Sequence, residues 1–352
     1  MTGEMKRGTF VFSIDIELAW GKVHQKRMNL HNLSRIYRKV RRNLGLVTPL
    51  LEKYRVPATW IILGHVALDH CECVNGKPHP QMPRPEYSWL KEDWYRYDPC
   101  SNLKVAPAWY GKDIVDNIVS YVKTSSLSHD IACHSFSHQM FGDPGCKREL
   151  AEAEVKKCIE IMEKEYGVVP KVFGFPRDSI GHIDVLKENG FIAFRDMIPK
   201  LYPCLEMDRT FLIAVKTLFS LFVQGLSYYI VSSPHVVVPR LVNGLWAVPG
   251  SLAFGEKPMV PFELVTLKAI KGIKKCVAEG KIFCMYTHLQ EFTWNKNAIH
   301  SLERILNHVH QEERKGNLCV KTIQQIAMEK QFLSNIRGFQ TAKGGFLGNP
   351  NS

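Results

Sequence analysis

Short runs of β-branched and aromatic residues alternate along this chain with longer amphipathic stretches, and few folds satisfy that alternation. Strand-like runs fall at 9–15 (TFVFSID), 58–63 (ATWIIL), 130–134 (DIACH), 171–176 (KVFGFP), 191–195 (FIAFR), 282–288 (IFCMYTH) and 318–322 (LCVKT). Helical stretches lie between most of them, at 32–54, 112–124, 146–166, 180–189, 262–279 and 297–314, with a last one at 323–333. Three of these stop at Gly167, Gly190 or Gly280, as expected of a residue just past a helix end. Strands that each lead into a helix build parallel βα units rather than a sandwich. Seven such units are one short of the eight-fold form, so the expected fold is α/β, an incomplete (β/α)7 barrel. A chain of 352 residues fits one such domain over 1–335, with insertions at about 65–111 and 200–255 and a flexible tail at 336–352.

The polar residues on those strands cluster at one end. Asp15 and Glu17 close the first, His134 the third with His138 just beyond, Arg177 follows the fourth, Arg195 and Asp196 end the fifth, and His288 ends the sixth. In βα barrels the carboxyl ends of the strands form the rim where catalytic groups gather. Two imidazoles at i and i+4 can hold one divalent ion, and a carboxylate from another strand completes a set with open positions for water. Such an ion makes a bound water acidic and polarises a carbonyl, which suits hydrolysis. The reaction also needs a base for the water and an acid for the leaving group. Asp15 and Glu17 share one strand face and supply two carboxylates; His288 is the candidate acid. Two histidines and a carboxylate accept Zn2+, the first expectation, and also Co2+, Ni2+ or Fe2+.

Charge and cysteine usage narrow the setting. The formal net charge is +12, much of it between Lys22 and Arg42, where no acid occurs. Leu33, Ile36, Tyr37, Val40, Leu44 and Val47 recur at helical spacing there, so the basic residues read as a solvated helix face rather than a nucleic-acid surface. An excess of this sign favours anionic partners such as phosphates or a membrane surface. Ten cysteines are scattered with no CxxC pair, so reduced, buried thiols are expected at Cys133, Cys284 and Cys319. The amino-terminal apolar run is broken by Asp15 and Glu17 and lacks a cleavage site, so a cytoplasmic location is expected. The apolar run at 211–231 is interrupted by Lys216 and Gln224 and reads as a buried or interfacial helix with peripheral membrane contact rather than a span. The 65–111 segment, rich in Pro, Tyr and Trp, reads as a functional loop over the barrel mouth, with aromatics such as Trp94 and Tyr95 either stacking on sugar rings or pinning the loop to the scaffold.

SIDIE after the first strand, YRVPATWIILG at the second, HDIACHSFSH at the third, FGFPRD at the fourth, GFIAFRD at the fifth and YTHLQEF at the sixth together resemble the polysaccharide deacetylases. That resemblance implies a metal-dependent incomplete barrel that removes acetyl groups from N-acetylated or O-acetylated sugars, here in envelope polysaccharide or glycan precursor metabolism. It implies metal binding by His134 and His138, a base at Asp15, an acid at His288 and an arginine at Arg177 that orients the base. The family's opening motif has two adjacent aspartates, whereas here the pair is Asp15 and Glu17. Glu17 is then the third ligand, or the two exchange roles. Asp196 either ties the rim together or touches substrate, which for a basic chain includes a sugar on a diphosphate carrier. Two other readings stay open: a catalytically silent carbohydrate-binding barrel, and an amidohydrolase acting on a non-sugar amide.

Overall fold

The structure is a computed structural model that describes residues 7–25, 28–198, 233–255, 260–294 and 297–344. Its strands are β1 (Gly8–Ile16), β2 (Thr59–Ile62), β3 (Cys73–Val74), β4 (Lys77–Pro78), β5 (Asp130–Cys133), β6 (Val172–Gly174), β7 (Ala193–Asp196), β8 (Arg240–Val242), β9 (Leu245–Pro249), β10 (Leu252–Phe254), β11 (Ile282–His288) and β12 (Leu318–Val320). The main sheet runs β10-β11-β1-β2-β5-β6-β7-β9-β8, with β12 paired to the start of β1. Every neighbour is parallel except β8 with β9. The sheet curls without closing, a half-barrel of α/β type with β10 and β8 at its edges.

All seven strands expected from the pattern are present. Strands β9 and β10 add to them from a region treated as insertion; they are short and follow one another without a helix, so no alternation announces them. The helices are α1 (Leu30–Lys53), α2 (Lys112–Thr124), α3 (Arg148–Tyr166), α4 (Ile183–Glu188), α5 (Phe262–Glu279), α6 (Glu291–Trp294), α7 (Asn297–Arg314) and α8 (Ile323–Gly344). The last runs past the expected end at 333, into the segment read as a tail. The apolar run at 211–231 lies outside the described residues. Among the described residues no helix is long and apolar enough to cross a membrane.

Strand alternation places the site. On β1, Phe10, Phe12 and Ile14 pack outward under the helices, whereas Val11 packs inward with Ile61, Ala132, Val172, Val248 and Cys284. Side chains two apart share a face, so Ser13 and Asp15 follow Val11 into the barrel interior. Each fully buried large apolar side chain contributes roughly 1.5–3 kcal/mol. The two faces of β1 thereby fix which way Asp15 points, because a slip of one residue would turn this whole apolar set to the wrong side.

Candidate active site

Asp15 stands opposite His288 in the register of β1 with β11. The chain then leaves β1 through a 3₁₀ turn, Leu18–Lys22, with Glu17 at its entry. Glu17 bends back so tightly that a Cβ on Gly21 would lie 1.5 Å from its Oε2. Gly21 is therefore the cradle of this carboxylate. His134 follows β5, and His138 ends the short loop after it in left-handed backbone (φ 67°), with Ser135 also left-handed (φ 65°). Asp15, Glu17, His134 and His138 are each at most 4% exposed.

The donors converge. His138 Nε2 lies 3.3 Å from Glu17 Oε2, and His288 Nε2 lies 2.6 Å from Glu17 Oε1 and 3.8 Å from Asp15 Oδ2. Glu17, His134 and His138 bring one ligand atom each within 4.8 Å of one another. The His134 Nδ1–H donates to the Gly174 carbonyl at 2.7 Å, which frees Nε2 as a lone-pair donor. Burial lowers the pKa of His134, and lowers that of His138 to about 3, so both rings are neutral and able to ligate. Burial also works to raise Glu17, but the neighbouring His288 and His138 outweigh it and hold the carboxyl well below its usual range. Two neutral imidazoles and one carboxylate fit a single divalent ion, and this donor set, with its paired tautomer, is what such an ion requires.

Asp15 is held differently. Arg195 grips it with a two-pronged fork, Nη1 to Oδ1 and Nη2 to Oδ2, both at 2.6 Å, and Nη1 also donates to Ser13 Oγ at 3.2 Å. The guanidinium stacks over the Tyr286 ring at 4.4 Å. Burial alone would raise the Asp15 pKa, but the Arg195 charge and its hydrogen bonds bring the net shift below the ordinary value. The loop carrying both histidines hangs on one further buried carboxylate. Glu154 of α3 accepts from Phe136 N (3.0 Å), Ser137 N (2.7 Å) and Ser137 Oγ (2.6 Å). Burial raises Glu154 to about 7 against those hydrogen bonds.

Three expectations need correction. Arg177 does not orient Asp15; it sits exposed in left-handed backbone (φ 54°), with Nη1 2.9 Å from His24 Nε2. The orienting arginine is Arg195, which parity on β7 turns inward. Trp94 and Tyr95 offer no face for a sugar, at 1% and 0% exposure. They pin the loop: Trp94 Nε1 donates to Ser137 O at 2.9 Å, and Tyr95 OH approaches Glu154 at 3.5 Å. Asp196 is also buried, with Arg240 Nη2 at 2.6 Å and its own following amide at 2.8 Å, so it ties strand ends together. Nor is every basic residue of α1 solvated. Arg41 is part-buried, paired to Asp113 at 2.7 Å and donating to the Pro107 and Tyr110 carbonyls at 2.8 Å. Cys133 and Cys284 are buried thiols as expected and Cys319 is partly exposed, while Cys73 and Cys100 form a disulfide inside the 65–111 segment.

The profile of one family, polysaccharide deacetylase, matches residues 41–191, a stretch that contains His134 and His138 and stops short of both Glu17 and His288. That stretch is similar to the polysaccharide deacetylases, the family that the motifs resemble. The half-barrel fold is shared with solved structures across almost the whole chain. A Mycobacterium smegmatis protein described as a polysaccharide deacetylase superposes with a TM-score of 0.58 at 13% identity, over 95% of this chain and 93% of the other. PuuE allantoinase superposes with a TM-score of 0.54 at 12% identity, over 93% and 91%. A Pseudomonas aeruginosa PAO1 protein described as a polysaccharide deacetylase gives 0.52 at 12% identity, over 91% and 89%. A sequence search of curated proteins finds no match. That match supports a hydrolase of the class that acts on acetylated carbohydrate.

Proposed function

We propose that this chain is a polysaccharide deacetylase that hydrolyses an acetyl group from an N-acetylated or O-acetylated sugar in envelope polysaccharide or glycan precursor metabolism, with Glu17, His134 and His138 holding one divalent ion. The observation that supports this reading best is the division of labour between the two carboxylates: Glu17 turns toward the histidine pair, whereas Asp15 is kept ionised by Arg195 beside it. An ion in this donor set, Zn2+ first among Zn2+, Co2+, Ni2+ and Fe2+, would polarise the acyl carbonyl and make water a better nucleophile.

The chain's own residues supply the rest. Asp15, ionised and fixed by the Arg195 fork, accepts the proton of the attacking water. His288 Nε2, held 2.6 Å from Glu17, donates a proton to the departing amine or alcohol. Acetate and the free sugar group are the products, and the proton taken at Asp15 returns to solvent. Arg177 and His24 lie nearby on the exposed side. The Arg177 charge suits an anionic substrate such as a diphosphate-linked sugar, in keeping with a cytoplasmic enzyme that touches a membrane peripherally; burial and Arg177 lower the pKa of His24 to about 4, so its ring is neutral.

The test is metal analysis of the purified protein followed by acetate release from a panel of acetylated sugars, nucleotide sugars and non-sugar amides. Acetate from a sugar, lost in Glu17→Gln together with the metal, supports the proposal. Turnover of only the non-sugar amides, or metal binding with no turnover at all, overturns it.

A further inference from the structure

A second cluster of ligating atoms lies outside the proposed active site, in the 65–111 segment. His65 comes from the turn that follows β2, and Cys71, His79 and Asp98 come from the insertion itself. His65 Nε2 and His79 Nε2 are 2.9 Å apart, and Asp98 Oδ2 lies 3.0 Å from the first and 3.5 Å from the second. Cys71 Sγ lies 3.4 Å from His79 Nε2 and 3.2 Å from Asp98 Oδ2. The side chains of His65, His79 and Asp98 are wholly shielded from solvent, and Cys71 is partly so.

We propose that His65, Cys71, His79 and Asp98 form a second, structural metal centre, of zinc type, that fastens the insertion to the barrel. With Zn–N of about 2.0 Å and Zn–S of about 2.3 Å, the corners of a tetrahedral site stand roughly 3.3 Å apart for two nitrogens and roughly 3.5 Å apart for sulfur and nitrogen. The edges above, from 2.9 to 3.5 Å, match that frame within a few tenths of an ångström.

Hydrogen bonds alone serve this cluster poorly. Asp98 already satisfies Oδ1 with Tyr110 OH at 2.7 Å and Cys100 N at 3.0 Å, so Oδ2 is the oxygen turned to the imidazoles. If both rings carried Nε2–H toward that oxygen, two hydrogens would collide across 2.9 Å. If either lacked it, a lone pair would face the carboxylate. One cation accepts all four donors at once, and Cys71 gives up its thiol proton on binding. Three donors from a segment whose only described strands are two residues long, joined to one from the barrel, make a closed site with no position left for substrate. The Cys73–Cys100 disulfide lies beside it, with Cys73 Sγ 3.4 Å from Cys71 Sγ.

The centre also braces the active-site loop. His65 N donates to Phe136 O at 2.9 Å, and its ring packs 4.1 Å from Trp20, on the turn that Glu17 opens. None of its ligands belongs to the acetyl chemistry, so it stands or falls separately from the proposed activity.

The experiment counts zinc per chain in the full-length protein prepared with zinc. Two equivalents are expected in the wild type, and one in each of His138→Ala and His79→Ala. Zinc X-ray absorption on His138→Ala, which keeps only the second site, should show one sulfur among four donors. This measurement holds even if His79→Ala does not fold. The Cys73→Ser/Cys100→Ser variant should retain that sulfur signal. The proposal is overturned by a wild type with one zinc that His79→Ala leaves in place, by a sulfur-free spectrum in His138→Ala, or by loss of the sulfur signal when Cys73 and Cys100 are replaced.

Discussion

Replacing Arg195 by Met removes both prongs from a carboxylate that remains buried. The two bonds at 2.6 Å join side chains that are 3% and 2% exposed, so neither partner can turn to water when the other is lost. Breaking one side of such a pair costs about 3–5 kcal/mol, whereas removing both sides together is often close to neutral. Arg195→Met and Asp15→Asn should therefore each destabilise the fold by about 3 kcal/mol or more in urea unfolding at neutral pH. The double variant should recover most of that loss, with a coupling of at least about 2 kcal/mol. The pH dependence follows from the same pair. Asp15 titrates lower in the folded state than unfolded, so its stabilisation is present above the unfolded pKa and is lost as pH falls through the folded one. Without Arg195 the largest influences that lower Asp15 are gone, and burial, the largest of all, raises it against the smaller effects of His134 and His288. The acid limb of acetate release in Arg195→Met should move to higher pH, read from kcat/KM across pH. Additive single variants in the cycle, or an acid limb that stays in place, would refute the reasoning.

Gly21→Ala places a methyl group 1.5 Å from Glu17 Oε2, so the carboxylate must leave its position; the affinity of the active-site ion should fall several-fold while circular dichroism stays native. His288→Ala should keep its metal and lose on the order of 10² to 10⁴ in turnover, the range of a general acid, and the variant should lose the alkaline limb that wild type shows. Glu154, at about 7 when folded, binds more protons folded than unfolded between its unfolded pKa of about 4.3 and 7. Stability should thus decline by up to about 3 kcal/mol as pH rises through that window, and Glu154→Gln should flatten the decline in urea titrations.

The seven strands and the rim positions of Asp15, Glu17, His134, His138 and His288 were legible because they follow from periodicity. A run of alternating or apolar residues shows where a strand stops, and the residue at its stop lies on the rim. Arg177 and Arg195 both end such runs, and pattern alone cannot choose between them. The choice depends on which face each backbone presents: Arg195 lies within β7 and turns inward with its register, whereas Arg177 sits in a left-handed turn beyond β6. Trp94 and Tyr95 misled for a related reason. In a segment without regular structure no period separates a buried ring from an exposed one, and the same composition serves a sugar platform or a pinned loop. His65, Cys71, His79 and Asp98 were unreadable as a group because their spacing matches no short motif and the loop brings them together only in three dimensions.

Asp15 and His288 are the last rung of the seven-rung ladder between β1 and β11, the longest stretch of paired backbone in the sheet. Their separation is set by main-chain amides that exchange with solvent only when the centre of the protein opens. His138 lies on no such ladder: its backbone is left-handed, and its loop is held by the Glu154 carboxylate and by scattered contacts to Trp94 and His65 rather than by paired strands. Warming should accordingly take the protein apart in order, with the histidine loop opening and ligand affinity lapsing first, while the proton-handling pair keeps its spacing until the whole sheet melts.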